Sequence, residues 1–113
     1  QYGWAILMAG GSLPNIPVDD QKFLSDAAKM KVVDNNQTAS GAYDMIGDDG
    51  IGYVVYSHTD KHLCLTVSNG RYNIYCIDKT SGSIRSVAKK TAINGSYTLS
   101  EGKAEQVYWI EKI

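Results

Sequence analysis

The stretch that most constrains the fold runs from His62 to Gly82, with the sequence HLCLTVSNGRYNIYCIDKTSG. Two runs of alternating apolar residues flank Asn69-Gly70, and a further turn is expected over residues 79–82, KTSG. Asn-Gly favours a two-residue hairpin loop, because both central residues of a type I′ turn adopt positive φ. The sequence therefore predicts that the strands on either side of Asn69-Gly70 pair with each other.

A two-residue loop also fixes which residues face each other. The expected pairs are Ser68 with Arg71, Val67 with Tyr72, Leu65 with Ile74, and Leu63 with Cys76. Side chains alternate with period two, so one face of the hairpin is apolar and the other is mixed. The apolar face comprises Leu63, Leu65, Val67, Tyr72, Ile74 and Cys76, and the mixed face comprises His62, Cys64, Thr66, Asn73, Tyr75 and Ile77.

This register places the two cysteines, Cys64 and Cys76, on opposite faces, which predicts that they do not form a disulfide. A three-residue loop with a bulge would instead place them opposite each other, and that alternative stays open. Neither cysteine has a histidine or a second cysteine at the spacing of a metal site. The sequence therefore predicts no metal and no cofactor.

Further short strands are expected along the rest of the chain, over residues 41–47, 51–57, 83–93, 96–99 and 105–112. Turns separate them at Asp48-Asp49-Gly50 and at a second Asn-Gly pair, Asn94-Gly95, whereas residues 32–40 form a polar loop. Short strands at spacings of roughly 8–12 residues are typical of an antiparallel sandwich. The expected fold is a mainly β, antiparallel β-sandwich of about seven strands with one or two short N-terminal helices.

Two helical patterns precede the strands. Trp4, Leu7 and Met8 recur at helical spacing, and residues 12–17, SLPNIP, form a connector. A second helix is expected over residues 20–30, capped by Asp19 or Asp20, with a buried face of Phe23, Ala27 and Met30. Because the first helix is apolar and uncapped, residues 1–17 are expected to be a residual helix and linker from a preceding domain, and residues 18–113 the sandwich domain. Trp4, Leu7 and Met8, with the nearest sheet surface, are the candidates for the face that packs on that other domain.

The charge balance argues against two classes of partner. The chain of 113 residues has 11 basic and 12 acidic side chains, a net charge of -1. Nucleic acids and anionic membrane surfaces are bound by strongly basic faces. In addition, no apolar run approaches the roughly 20 residues of a membrane-spanning helix. The sequence therefore predicts neither a nucleic-acid nor a membrane partner.

Two groups of polar residues are candidates for chemistry. Asp44, Asp48 and Asp49 form the densest acidic group, and paired carboxylates could catalyse glycoside hydrolysis. Asp48 and Asp49 are flanked by glycines, however, so the hydrogen bonds of a turn are the favoured explanation. His58 and His62 could bind a metal if they projected the same way, but no third ligand is visible in the sequence.

The aromatic residues give the third group of candidates. The chain has eight Tyr, two Trp and a single Phe, which fits a half-exposed sheet surface able to stack on sugar rings. Tyr75 lies on the mixed face of the hairpin, and either Tyr53 or Tyr56 should face outward because an odd offset separates them. The candidates for carbohydrate contact are Tyr75, Tyr53, Tyr56 and Trp109.

The segment YNIYCIDKTSGSI resembles the strand-turn signature of the C-terminal β-sandwich, of the putative collagen-binding type, in bacterial (β/α)8-barrel glycoside hydrolases. The matching positions are Tyr72, Ile74, Cys76, Ile77, Asp78 and Gly82, with Cys76 where the family usually has Trp. The segment IGYVVYSHTDKHLCLTV is similar to a strand pair of that family, VYWIEKI to its closing strand, and YGWAILMAGGSLPNIP to the last barrel helix and link.

The resemblance implies a non-catalytic module of a secreted or periplasmic enzyme. Its partners would be the catalytic barrel of the same chain and, as a second candidate, polysaccharide. Because the catalytic carboxylates of such enzymes lie on the barrel, none carries over to this sequence. Two other classes stay open: a stand-alone small hydrolase that uses Asp44, Asp48 or Asp49, and a cell-surface adhesion module.

Overall fold

The described residues fold into two antiparallel sheets with a pair of short helices. The structure is a computed structural model, and it describes residues 2–10, 16–33, 41–99 and 103–113. Within these ranges the elements are α1 (Tyr2–Met8), α2 (Gln21–Ala27), β1 (Lys31–Val32), β2 (Tyr43–Asp48), β3 (Gly52–Ser57), β4 (Leu63–Thr66), β5 (Gly70–Ile77), β6 (Ile84–Ile93), β7 (Ser96–Leu99) and β8 (Gln106–Lys112). The predicted mainly β, antiparallel fold is confirmed. Most of the predicted connector (residues 12–15) and of the polar loop (34–40) lies outside the described residues.

The elements form three layers. A six-stranded sheet, here called the large sheet, has the strand order β1-β2-β3-β8-β5-β6, and β4 and β7 form a small sheet. One core lies between the two sheets, and a second lies between the large sheet and the helices. The first contains Leu65, Tyr72, Ile74 and Tyr108 among others, and the second contains Trp4, Phe23, Val54 and Trp109 among others. The large sheet therefore packs against a core on each of its two faces.

Strands β4 to β7 form one long hairpin that is bent in the middle. Thr66 lies opposite Ser96 in the small sheet, while Gly70 lies opposite Ile93 and Ile77 opposite Ile84 in the large sheet. The pairing thus continues from one sheet into the other through residues 67–69 and 94–95. This bent hairpin, residues 63–99, is called the folded ribbon below.

The predicted hairpin at Asn69-Gly70 is wrong. Leu65 pairs with Tyr97 rather than with Ile74, and Leu63 pairs with Leu99 rather than with Cys76. Both Asn-Gly pairs lie at the bend of the ribbon, where the chain passes between sheets without reversing. Gly95 has φ of +87°, a conformation that glycine adopts without steric cost.

The predicted apolar face is nevertheless correct. All six of its residues are buried in the core between the sheets: Leu63, Leu65, Val67, Tyr72, Ile74 and Cys76. The period-two pattern specifies which side chains turn inward, and two strands that face each other across a sandwich satisfy it as well as two strands side by side.

The ribbon reverses at its tip, over residues 78–83. One oxygen of Asp78, Oδ1, accepts hydrogen bonds from the backbone N–H groups of Thr80 and Ser81, each at 2.8 Å. The N–H of Gly82 donates to the carbonyl oxygen of Asp78, also at 2.8 Å. Gly82 has φ of +79°, and a Cβ there would lie 2.2 Å from the carbonyl oxygen of Pro17. The turn predicted at residues 79–82 is confirmed.

Helix α1 packs against the sheet of its own chain. Trp4, Leu7 and Met8 are 1%, 2% and 5% exposed. The prediction that they form a free contact face for another domain is therefore wrong, because the second core already buries them. Their helical spacing reflects packing against strands β2 and β3. The assignment of residues 1–17 to a preceding domain stays a prediction.

Helix α2 begins where its cap was predicted. Oδ1 of Asp20 accepts a hydrogen bond from the N–H of Phe23 at 2.9 Å, and the predicted buried residues Phe23, Ala27 and Met30 are buried. Each described helix has seven residues, so neither is long and apolar enough to cross a membrane.

The two cysteines are free. Cys64 is exposed on β4, whereas Cys76 is buried on β5 in the core between the sheets. Their side chains thus point to opposite sides, as the alternation of side chains predicted.

Candidate functional site

A group of ionisable side chains lies beside α1. It comprises Asp44, Tyr56, His58, Lys79 and Glu105, and is called the Asp44–Glu105 cluster. A cavity of about 250 Å³ is lined by Ala5 and Met8 on its apolar side and by Asp44, Tyr56, His58 and Glu105 on its polar side. It is the strongest candidate for a functional site in the described part of the chain.

The register of the large sheet brings these residues together. Asp44 on β2 is the cross-strand partner of Tyr56 on β3, and His58 directly follows β3. Glu105 directly precedes β8, and its N–H donates to the carbonyl oxygen of Ser57 at 2.8 Å. Lys79 comes from the tip of the folded ribbon, so the cluster joins four separate parts of the chain.

Within the cluster, His58 lies between the two carboxylates. Its Nε2 is 2.7 Å from Oδ2 of Asp44, and its Nδ1 is 3.8 Å from Oε2 of Glu105. Its ring also packs against that of Tyr56, with centroids 5.1 Å apart. The imidazole therefore has a hydrogen-bond partner on β2 and a second acidic neighbour before β8.

Lys79 binds the other end of the cluster. Its Nζ is 3.1 Å from Oε1 of Glu105 and donates to the hydroxyl oxygen of Tyr56 at 3.3 Å. The hydrogen bonds to Tyr56 and Glu105 raise the pKa of Lys79, and the hydrogen bond from Lys79 lowers the pKa of Glu105. Because both groups reach solvent, this ion pair contributes little stability by itself.

The contacts inside the cluster join its side chains in pairs. Asp44 is paired with His58, and Lys79 is paired with Glu105. The cluster therefore links β2, the end of β3, the ribbon tip and the start of β8. In the described ranges, no group of three or more His, Cys, Asp or Glu side chains is placed to hold a metal ion.

The other predicted polar residues lie elsewhere. Oδ1 of Asp48 accepts from the N–H of Gly50 at 2.8 Å, and Oδ1 of Asp49 accepts from the hydroxyl of Tyr53 at 2.8 Å. The turn hydrogen bond favoured from the sequence is therefore present at Asp48, whereas Asp49 binds the side chain of Tyr53 on β3. His62 lines a separate cavity of about 380 Å³ with Lys61 and Cys64, so it is not paired with His58.

Three of the four predicted carbohydrate contacts are buried. Tyr53, Tyr56 and Trp109 are 3%, 8% and 3% exposed. Tyr53 and Tyr56 do point to opposite faces of the large sheet, as their offset predicted, but both faces are covered. The expectation that either Tyr53 or Tyr56 faces outward is wrong, because the small sheet and the helices cover the surfaces on which these two rings lie.

Tyr75 is the exception, since it remains half-buried at the edge of the second core. Its ring packs on that of Trp109, with centroids 5.0 Å apart, and its hydroxyl donates to Oε1 of Glu111 at 3.2 Å. Asn73 donates to the same oxygen at 3.3 Å, while Nζ of Lys22 lies 3.2 Å from Oε2. Burial, followed by the charge of Glu111, raises the pKa of Tyr75.

The sequence does not indicate Lys79 or Glu105 as candidate site residues. Neither belongs to a recognisable motif, and each joins the cluster through strand pairing that is remote in sequence. Only the pairing of β3 with β8 and the reversal of the ribbon at residues 78–83 bring them beside His58.

Comparison with protein-family models, curated proteins and solved structures finds no match to this chain. Its function is therefore inferred from its own residues.

Proposed function

We propose that this protein is a non-catalytic ancillary module of a secreted bacterial glycoside hydrolase, and that it supports the catalytic domain and contacts polysaccharide. The observation that supports the proposal is the pairing of side chains within the Asp44–Glu105 cluster. Its ionisable groups bind one another across four parts of the chain, as expected of a structural network. The resemblance of the segment YNIYCIDKTSGSI to the C-terminal sandwich of such enzymes agrees with this role.

The outer side of α1 suits contact with a catalytic domain of the same chain. The described part of α1 has no charged side chain. Ile6 is 49% exposed, and Val32 on β1, which lies beside Gly10, is 44% exposed. Large exposed apolar side chains of this kind are candidates for burial in an interface. This surface replaces the predicted interface of Trp4, Leu7 and Met8.

The complete reading frame and an activity assay test the proposal together. We expect a catalytic barrel to precede this chain in the frame, and we expect the chain of 113 residues alone to release no reducing sugar from soluble polysaccharides. In the full-length enzyme, Asp44→Asn should leave kcat unchanged and lower Tm, with Asp19→Asn as the control for net charge.

A different outcome would favour the stand-alone hydrolase. That outcome is hydrolysis by the isolated chain that Asp44→Asn abolishes while Asp19→Asn retains it. Loss of kcat in the full-length Asp44→Asn enzyme without any change of Tm would equally overturn the structural role of the cluster.

A further inference from the structure

Charge is unevenly distributed along this nearly neutral chain. Residues 61–100 contain six basic side chains, Lys61, Arg71, Lys79, Arg85, Lys89 and Lys90, and a single acidic one, Asp78. Residues 1–60 contain eight acidic and only three basic side chains. Residues 61–100, which include the folded ribbon, are therefore the basic part of an otherwise acidic protein, which the net charge of -1 conceals.

Part of the large sheet on the helix side remains accessible on this ribbon. Helix α1 lies against β2 and β3, and α2 lies against β3. On β5, Arg71 is exposed and Asn73 and Tyr75 are half-buried. On β6, the exposed residues Ala92 and Ser86 lie opposite Arg71 and Tyr75, so they share that surface. We call the surface of Arg71, Asn73, Tyr75, Ser86 and Ala92 the β5–β6 face.

Two lysines adjoin the middle of this face. Tyr72 pairs with Thr91 and Ile74 with Ala88, so Lys89 and Lys90 together lie opposite Asn73 in a bulge. The N–H of Lys90 donates to Oδ1 of Asn73 at 3.0 Å, and both lysines are exposed. Lysines on an edge strand also discourage pairing with other sheets. That role does not account for Arg71, which lies on the interior strand β5.

We propose that the β5–β6 face, with Lys89 and Lys90, binds an acidic polysaccharide whose sugar rings carry carboxylates. This proposal rests on the proposed function and specifies the class of its polysaccharide. The Arg71 guanidinium can bind a carboxylate through two parallel hydrogen bonds, and Lys89 and Lys90 supply further positive charge. Tyr75 offers part of its ring to a sugar, while its hydroxyl and the Asn73 amide both bind the Glu111 carboxylate. The charge of Glu111 is offset by Lys22, whose Nζ lies 3.2 Å from Oε2. A uronate chain has a lower charge density than a nucleic acid and suits a small basic patch on a net acidic protein.

Affinity electrophoresis in gels that contain polygalacturonate tests this proposal, with dextran as the neutral control. The variant with Arg71→Gln, Lys89→Gln and Lys90→Gln should bind polygalacturonate about tenfold more weakly or worse, since each exposed charge contributes roughly two- to fivefold. The matched control carries Lys29→Gln, Lys31→Gln and Lys103→Gln, which remove the same charge from exposed sites elsewhere. It should bind like the wild type, and added salt should weaken all polygalacturonate binding.

A single variant separates binding from folding. Lys90 has φ of +50°, which glycine tolerates better than lysine, so Lys90→Gly should keep or raise Tm and still weaken binding about two- to fivefold. Equal losses in the two triple variants, no retardation by polygalacturonate, or tighter binding to single-stranded DNA would each overturn the proposal. None of these results would affect the reading-frame and activity test, which addresses the ancillary role separately.

Discussion

Trp4 donates a hydrogen bond from its indole Nε1 to the backbone carbonyl oxygen of Lys79, 75 residues further along the chain, over 2.9 Å. This bond ties α1 to the tip of the folded ribbon. The side chain of Lys79 meanwhile binds Glu105, so a single residue of the turn holds both the helix and the Asp44–Glu105 cluster.

We expect Trp4→Phe to lower the free energy of unfolding by roughly 1–3 kcal/mol, because the Lys79 carbonyl loses its donor while much of the ring packing is retained. Trp4→Ala should cost about 3–5 kcal/mol through the cavity it leaves. Urea unfolding measures both values, with Ile6→Ala on the exposed side of α1 as the control. An unchanged stability of Trp4→Phe would show that the hydrogen bond contributes nothing.

Gly82→Ala should destabilise the protein far more than Gly41→Ala. Both glycines have positive φ, of +79° and +83°. A Cβ at position 82 would lie 2.2 Å from the carbonyl oxygen of Pro17, whereas nothing lies within 4 Å of a Cβ at position 41. The backbone conformation alone costs about 1–2 kcal/mol at either site, so the excess at position 82 measures the steric contact with Pro17.

Thermal unfolding of the two alanine variants side by side provides the comparison. Similar values of Tm for the two variants would mean that the segment before α2 is not in close contact with the ribbon tip in solution.

Thr98→Cys should form a disulfide with Cys64 under mild oxidation. Cys64 and Thr98 are cross-strand partners in the small sheet, with Sγ and Oγ1 3.9 Å apart. Mass spectrometry would detect the loss of two hydrogen atoms to the oxidant, and the oxidised form should be more stable by about 2–4 kcal/mol. Ser86→Cys, on a different sheet, is the control that should leave Cys64 free. A bridge in the control alone would contradict the pairing of β4 with β7.

The stability should fall in acid partly through the turn at Asp78. Backbone hydrogen bonds from Ser81 and Thr80 lower the pKa of Asp78. A lowered folded-state pKa gives stability that is present above the unfolded pKa of about 3.9 and is lost as the pH falls through the folded value. The stability difference between wild type and Asp78→Asn should therefore shrink between about pH 5 and pH 2.

Urea unfolding at pH 6, 4 and 3 tests this, and Asp19→Asn controls for the removal of one exposed carboxylate. A difference that stayed constant over this range would assign no pH-dependent role to the Asp78 carboxylate.

The sequence was sufficient for the local features of the fold. The cap at Asp20, the turn at residues 79–82 and the inward side chains of the ribbon all follow from residue chemistry and alternation within short windows. The hairpin predicted at Asn69-Gly70 was wrong, because a dipeptide that favours positive φ fits a bend between two sheets as well as a reversal of the chain. Which of the two occurs depends on the pairing of β4 with β7, and that pairing is remote from Asn69 in sequence.

The site was harder to predict than the fold. The sequence indicates Asp44 and His58 as separate candidates, because their contact depends on the register of β2 with β3. The exposure of Tyr53, Tyr56 and Trp109 could not follow from alternation, which assigns a side chain to a face without showing whether another layer covers that face. Tyr75 keeps partial exposure because it lies toward the edge of the large sheet.

The folded ribbon affects how the protein unfolds. Its two arms run from the tip through the large sheet into the small one, so the register of β4 with β7 is tied to that of β5 with β6. When the pair of Leu63 and Leu99 at the open end of the ribbon separates, the neighbouring residue pair loses support. The turn at the ribbon tip holds the residue pair at the other end together. The two layers are accordingly expected to melt in one cooperative transition, with no state in which one sheet survives the other.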